Sequence, residues 1–470
     1  MDALQKIIGT INGYLYYPIL IIMLLGVGLY FTFKTKNVQI KQFGETWRVL
    51  NQKPDKEGGV SSFQALMVST ASRVGTGNIV GVSSALCLGG YGAVFWMWVV
   101  AMIGGASAFI ESTLAQVYKK RDDEGNSYGG PAYYIEAGLK SRPLAIIFAI
   151  SLIACYAVGF NMLAAFNIQS SFAGYSFYNE SVTPWIIGAI LALLTGYTVL
   201  GGGKRIIKIT EKVVPFMGVI YVIASLIMIV LNITAIPSVF GKIFADAFNF
   251  KAIFGGLAGS SMVYGIKRGL YSNEAGIGSA PNAAAAADVS HPVKQGLVQM
   301  FSVFLDTIII CSATAFMGLS SGIEPIPELE GAPYIQEALA TSFGNFGYYF
   351  ISISLVLFGF STLVGNLYYV DSNIVYINKK MPKKQTQTIY RVVCALLIFF
   401  GAGQDISFVW DLSDLLMGVM AFINLPCILV LGGVATKCLF DYTKQRKAGQ
   451  EPVFVAKNIG LDDSKLDYWK

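Results

Sequence analysis

The chain is 470 residues long, 54% hydrophobic and only 13% charged, with a mean hydropathy of +0.57. A soluble protein carries about a quarter charged residues; half that fraction leaves too little polar surface to face water. The net charge of +6 comes from bases grouped in short segments rather than along one face, which excludes a nucleic-acid surface as their explanation. Six cysteines stand singly in or beside apolar stretches, with no spacing that suits zinc or an iron–sulfur cluster.

In chain order, the segments apolar and long enough to cross a bilayer fall at 14–33, 61–88, 92–117, 144–173, 184–200, 213–235, 239–266, 296–319, 347–377, 389–402 and 412–439. That predicts eleven spans. The first is followed by bases rather than by a small-residue cleavage site, so it reads as a retained span. Of the 34 lysines and arginines, 30 fall in one alternating set of connections and the tail. Only Lys6, Lys242 and Lys251 fall in the other, and Arg73 lies within a span. Such a split puts the basic connections in the cytoplasm. The amino terminus is then outside and the carboxy terminus inside, as an odd number of spans requires. The expected organisation is a single transmembrane domain over 1–440, followed by a polar, partly ordered cytoplasmic tail over 441–470.

Two spans are interrupted. The second carries Ser72-Arg73-Val74-Gly75-Thr76-Gly77-Asn78, and the seventh carries Gly255-Gly256-Leu257-Ala258-Gly259-Ser260-Ser261. Glycine weakens a helix interior by about 1 kcal/mol per residue, and non-helical backbone at membrane depth survives only against protein or a water-filled cavity. The interruptions lie five spans apart. Spans two to six (about 61–235) and seven to eleven (about 239–440) therefore form two repeats of opposite orientation, an arrangement that points to a transporter site. The half-helix beginning near Gly75–Asn78 offers N–H groups and a positive dipole end to a carboxylate, and freed carbonyls offer oxygen to an ammonium group or Na⁺. A zwitterionic amino acid meets both needs. On this reading Gly75, Thr76, Gly77, Asn78, Gly255, Gly256, Gly259, Ser260 and Asn366 contact substrate. Ser361 and Thr362 of the ninth span, with the backbone carbonyl of Arg73, contact a hard monovalent cation. The Arg73 side chain is an intramembrane base with Glu111, Asp306 and Asp371 as candidate partners.

Several runs resemble the alanine/glycine:cation symporter family. They are Gly75-Thr76-Gly77-Asn78-Ile79 with Gly81, Phe95-Trp96-Met97-Trp98, Glu111-Ser112-Thr113-Leu114-Ala115-Gln116 and Gly129-Gly130-Pro131-Ala132-Tyr133-Tyr134. The most specific is Arg268-Gly269-Leu270-Tyr271-Ser272-Asn273-Glu274-Ala275-Gly276-Ile277-Gly278-Ser279-Ala280-Pro281. The resemblance implies an all-α, leucine-transporter-like fold of five plus five inverted helices after one extra amino-terminal helix. It also implies uptake of a small neutral L-amino acid, with D-alanine as a further candidate, across the inner membrane of a bacterium or archaeon. Na⁺ is the implied coupling ion, H⁺ the alternative, and no other cofactor is implied. In the span that walls the pocket, Ala164 and Phe166 stand where family members carry amides. That difference opens a place for glutamine beside alanine and glycine. The run 273–281 falls in a predicted cytoplasmic loop, where the residues alone assign it no chemistry.

An enzyme is disfavoured, since the single histidine, His291, lies outside the spans and no nucleophile–base pair sits at membrane depth. A channel would carry a selectivity filter or a ring of charge, and interrupted helices in inverted halves favour a transporter.

Overall fold

The computed structural model describes residues 2–55, 58–122, 125–249, 260–379 and 383–469. Among the described residues, the one sheet is a small hairpin, Lys120–Arg121 against Ser127–Tyr128. Nine helical segments there are long and apolar enough to cross a membrane: Ala3–Lys34, Ala93–Val117, Arg142–Ser170, Thr183–Leu200, Gly202–Leu231, Pro292–Ser320, Asn345–Asn378, Gln385–Ala402 and Ile406–Lys447. The two crossings still needed for eleven are built from half-helices. The second span is Ser62–Arg73 followed by Val80–Gly89, and the seventh is Ser261–Asn273 followed by Pro281–Ala286.

Local chemistry sets the starts. Ser61 and Gln64 close a capping box at the head of the second span. Ser260 caps the seventh by accepting from the Val263 N–H, and Asp405 caps the eleventh by accepting from Ser407 and Phe408. Large apolar side chains such as Leu193, Val230, Ile353 and Val430 face outward, as a lipid-facing surface requires. Inside, small residues let helices approach. A methyl group on Gly269 would fall 2.7 Å from Val100, and one on Gly188 2.9 Å from the Phe399 carbonyl. π-helical turns at Ala154–Phe160 and Phe304–Cys311 re-aim side chains in the fourth and eighth spans.

Three expectations need correction. The predicted seventh span, 239–266, begins instead as a separate helix, Ile236–Ala247, and its crossing half-helix runs through Asn273. Lys267 and Arg268 therefore belong to a half-helix rather than to a loop. The run 273–281 is buried inside the protein rather than lying in an exposed loop. Hydropathy rejects these residues because they are polar, but they are satisfied inside the protein: Lys267 and Arg268 both pair with Asp414 of the eleventh span, at 2.8 and 3.0 Å. The tail is ordered as well. Phe454, Ala456, Ile459 and Leu466 are buried, and Trp469 Nε1 donates to the Gln116 carbonyl at 2.7 Å. Gly255, Gly256 and Gly259 lie outside the described residues.

Candidate functional site

The two interruptions meet. In the first, Val74 leaves helical geometry, Gly75 is extended, and Thr76–Asn78 form one 3₁₀ turn before Val80 restarts the helix. An unbroken helix would bond the Gly75 N–H to the Ala71 carbonyl. Asn78 Oδ1 takes that N–H at 2.8 Å, which frees the Ala71 carbonyl. A methyl group on Gly75 would collide with Thr362 Oγ1, and one on Gly77 would fall 2.7 Å from the Tyr271 ring. Only glycine allows the ninth and seventh spans to lie this close.

The seventh span is cut by different means. Glu274 ends the half-helix in the left-handed region at φ 54°, and Gly276 and Gly278 follow at φ +85° and +88°. The Glu274 carboxylate lies fully inside the protein. Its Oε1 accepts from Ser72 Oγ at 3.1 Å and its Oε2 from Ser279 Oγ at 2.6 Å, while Arg73 Nε stands 4.0 Å away. Glu274, rather than Glu111, Asp306 or Asp371, is thus the carboxylate nearest Arg73, whose Nη1 also donates to the Gln299 carbonyl. Glu111 instead holds the second break. It accepts from the Gly276 N–H and from Asn424 Nδ2, and Asn424 in turn binds the Gly276 carbonyl. Asp371 pairs with Arg391 at 2.9 Å.

Asp306, on the π turn of the eighth span, faces the first break. It accepts from Asn78 Nδ2 at 2.7 Å, Ser272 Oγ at 2.8 Å and Thr307 Oγ1 at 2.9 Å. Two asparagines of the fourth span complete this polar centre. Asn161 Oδ1 accepts from Asn366, whose own Oδ1 accepts from Ser72, and Asn167 Nδ2 donates to Thr76 Oγ1.

The predicted cation residues separate. Thr362 Oγ1 donates to its own helix at Phe358 O and lies 3.3 and 3.5 Å from the carbonyl oxygens of Ala71 and Ser72. This all-oxygen set at the edge of a break suits a hard monovalent ion. Ser361 Oγ bonds Phe358 O and lies 3.7 Å from Met217 Sδ of the sixth span, so it does not join the set. Gly75, Thr76, Gly77, Asn78 and Asn366 gather at the first break. Ser260 caps a helix start. Ala164 is buried in an apolar cluster with Leu191, Leu363, Ile398 and Ala402, and Phe166 is partly buried against the main core. On that helix Asn161 and Asn167, not Ala164, reach the polar centre.

Away from the tail, aromatic rings cover the centre. Phe160 stacks edge-on with Tyr271 at 4.8 Å and Tyr271 with Trp410 at 5.0 Å. The Arg268 guanidinium lies 3.7 Å over Trp410 and closes on Asp414. On the tail side, the Asp288 N–H bonds the Val60 carbonyl, and Tyr468 and Glu451 of the tail bond Asp288 and Lys294. Sequence reasoning missed Glu274, Asp306, Asn161 and Asn167 as site residues. The signal for Glu274 was the glycine pair at 276 and 278 before Pro281, which marks a break as clearly as the glycines at 75 and 77.

Two facing discontinuous helices that enclose oxygen donors at membrane depth define a secondary transporter of the inverted-repeat kind. The comparisons agree on the fold: the chain resembles MhsT in complex with L-phenylalanine at a TM-score of 0.54 and 13% identity, over 88% of this chain and 94% of that one. It resembles a manganese transporter of Eremococcus coleocola at 0.51 and 12%, over 85% and 89%. This is the leucine-transporter-like fold with one added amino-terminal span. The sodium:alanine symporter family model matches residues 1–456, and the chain belongs to that family. It is 45% identical to the amino-acid carrier protein AlsT of Bacillus subtilis, over 96% of this chain and 94% of AlsT. It is 42% identical to the "Probable sodium/glutamine symporter GlnT" of the same organism, over 100% and 96%. It is 38% identical to the sodium/alanine symporter AgcS of Methanococcus maripaludis, over 94% and 98%.

Proposed function

We propose that this protein takes a small neutral amino acid into the cell by Na⁺-coupled symport, with both solutes held where the two interrupted helices meet. The observation that carries this reading is the pairing of a freed Ala71 carbonyl and Thr362 Oγ1 on one side of the break with the amino-terminal, positive-dipole end of the Val80–Gly89 half-helix on the other. Na⁺ is held by Thr362 Oγ1 and the Ala71 and Ser72 carbonyls. The substrate carboxylate is held at Gly75–Asn78, and Glu274, with Ser72 and Ser279 beside it, attracts the substrate ammonium group. The names of the relatives support alanine or glutamine as substrate.

Closure above the centre is the Lys267–Asp414–Arg268 cluster with its aromatic lid; closure below is the tail-side packing. Bases concentrated in the tail-side connections support a cytoplasmic carboxy terminus and an outer face at Asp414. Proteoliposomes with an imposed Na⁺ gradient test the function: labelled alanine or glutamine accumulates, and a proton gradient alone drives none. Uptake indifferent to Na⁺ overturns the coupling. The orientation is tested by cysteines near Lys383 and Glu328, expected to be labelled only from inside and only from outside, respectively.

A further inference from the structure

The first span is not part of the five-plus-five core, yet its amino-terminal part, helix Asp2–Tyr14 and the π turn Leu15–Leu20, is fastened to the helix that carries Asp414. Asn12 Nδ2 donates to the Asp411 carbonyl at 2.8 Å, and Tyr16 Oη donates to the Asp414 carbonyl at 3.0 Å. Leu15 and Leu20 sit over Gly418, where a methyl group would fall 2.6 Å from Leu15. Gly9 lies against the Asp411 carboxylate. Tyr16, only 2% exposed, also touches the other partner of the closure, because the Lys267 ammonium lies 4.9 Å over its ring. One side chain therefore meets the carboxylate's backbone and one of the two bases that close on it.

We infer that Tyr16 and Asn12 are positioning residues for the outer gate. They fix the Asp414 stretch of the eleventh span as a stationary post, so that the half-helix bearing Lys267 and Arg268 closes onto a carboxylate already in place. Without them the post is free to drift, closure is less favourable, and the conformational equilibrium moves toward the outward-open form. A hydrogen bond to a main-chain carbonyl shifts a two-state equilibrium by about two- to tenfold. The inference rests on the proposed reading of Lys267, Arg268 and Asp414 as a gate.

The test is thiol accessibility in full-length protein in proteoliposomes, with two reporters. Ser413→Cys is fully buried beside the closure, and Ala65→Cys is buried at the opposite end under the tail-side packing. Tyr16→Phe, which keeps the ring over Lys267, should speed labelling of Ser413→Cys from outside by about two- to tenfold. Tyr16→Leu should speed it further, and Asn12→Ala should act in the same direction as Tyr16→Phe. Labelling of Ala65→Cys from inside should slow in each case. This reciprocity separates a shifted gate from loosened packing, which would speed both reporters and would overturn the inference. Asp414→Asn is the control for the gate itself. If it speeds the outer reporter while Tyr16→Phe and Asn12→Ala leave both unmoved, the clamp is refuted and the gate stands. If Asp414→Asn also changes nothing, the gate reading falls and the clamp falls with it.

Discussion

The two interrupted helices do one job with different materials. The first break, between Arg73 and the restart at Val80, is itself made of neutral residues: Gly75 and Gly77 permit close approach, Asn78 caps its own turn, and the oxygens offered are a hydroxyl and freed carbonyls. The second is made around a charge: Glu274 turns the chain in the left-handed region, Gly276 and Gly278 carry it across, and Glu111 with Asn424 pins the loop. Polarity at membrane depth can be spread over dipoles or concentrated in a carboxylate, and the two have different sensitivity to substitution. A dipole lost leaves one bond unmade; a charge lost leaves its partner ion buried and uncompensated.

The largest effect should therefore fall on the second break. Glu274→Ala removes the carboxylate nearest the buried Arg73 and should cost about 3–5 kcal/mol of stability. Thermal unfolding in detergent reads it, and Arg73→Met in the same chain should recover part of the loss. Ser72→Ala, its neutral counterpart in the first break, should cost about 1 kcal/mol. Comparable losses would erase the distinction between the breaks. The next effect concerns function. Thr362→Ala should raise the Na⁺ concentration for half-maximal uptake about tenfold, equivalent to about 1.4 kcal/mol, while Ser361→Ala should leave it nearly unchanged.

Ala164→Gln sharpens the contrast between polar centre and packing. It forces an amide among Leu191, Leu363, Ile398 and Ala402 and should lower stability by about 1–3 kcal/mol, with the ranking of alanine against glutamine unmoved in competition uptake. The smallest effect belongs to a carboxylate outside the membrane. Glu451 of the tail is half exposed. Burial opposes its ionisation, yet hydrogen bonds from Lys294, Arg48 and Gln52 outweigh that and hold its carboxyl at about 2. A depressed value contributes stability above the ordinary carboxylate range and loses it only as pH falls toward 2. Tail docking, followed by limited proteolysis, should not vary between pH 5 and 8, and Glu451→Gln should cost under about 1 kcal/mol.

The contrast also explains what could be read without coordinates. The crossings other than the seventh were legible because lipid demands about twenty apolar residues from each, and the first break was legible because its polar run lies inside an apolar one. The second was not. Its charges pushed it below the hydropathy expected of a span, and a glycine cluster at 255–261 drew the reading some twenty residues too early. Nothing local reveals that Lys267, Arg268 and Glu274 find Asp414, Ser72 and Arg73 from other spans. The position of Ala164 was obscured for a related reason: it lies only about 60° round the helix from Asn161, and nothing local tells the edge that meets the polar centre from the neighbouring edge packed against the tenth span. The ordered tail was hidden because its buried residues, Phe454, Ile459 and Leu466, are too sparse to form a pattern.

The account stands most directly on the claim that Na⁺ and amino acid share the junction of the two breaks. Ser279, beside Glu274, reports on it. In proteoliposomes, Ser279→Cys should react with a small membrane-permeant thiol reagent, and alanine or glutamine should slow that reaction only when Na⁺ is present. A reaction rate indifferent to substrate and Na⁺ together, in a variant that still transports, would contradict the claim.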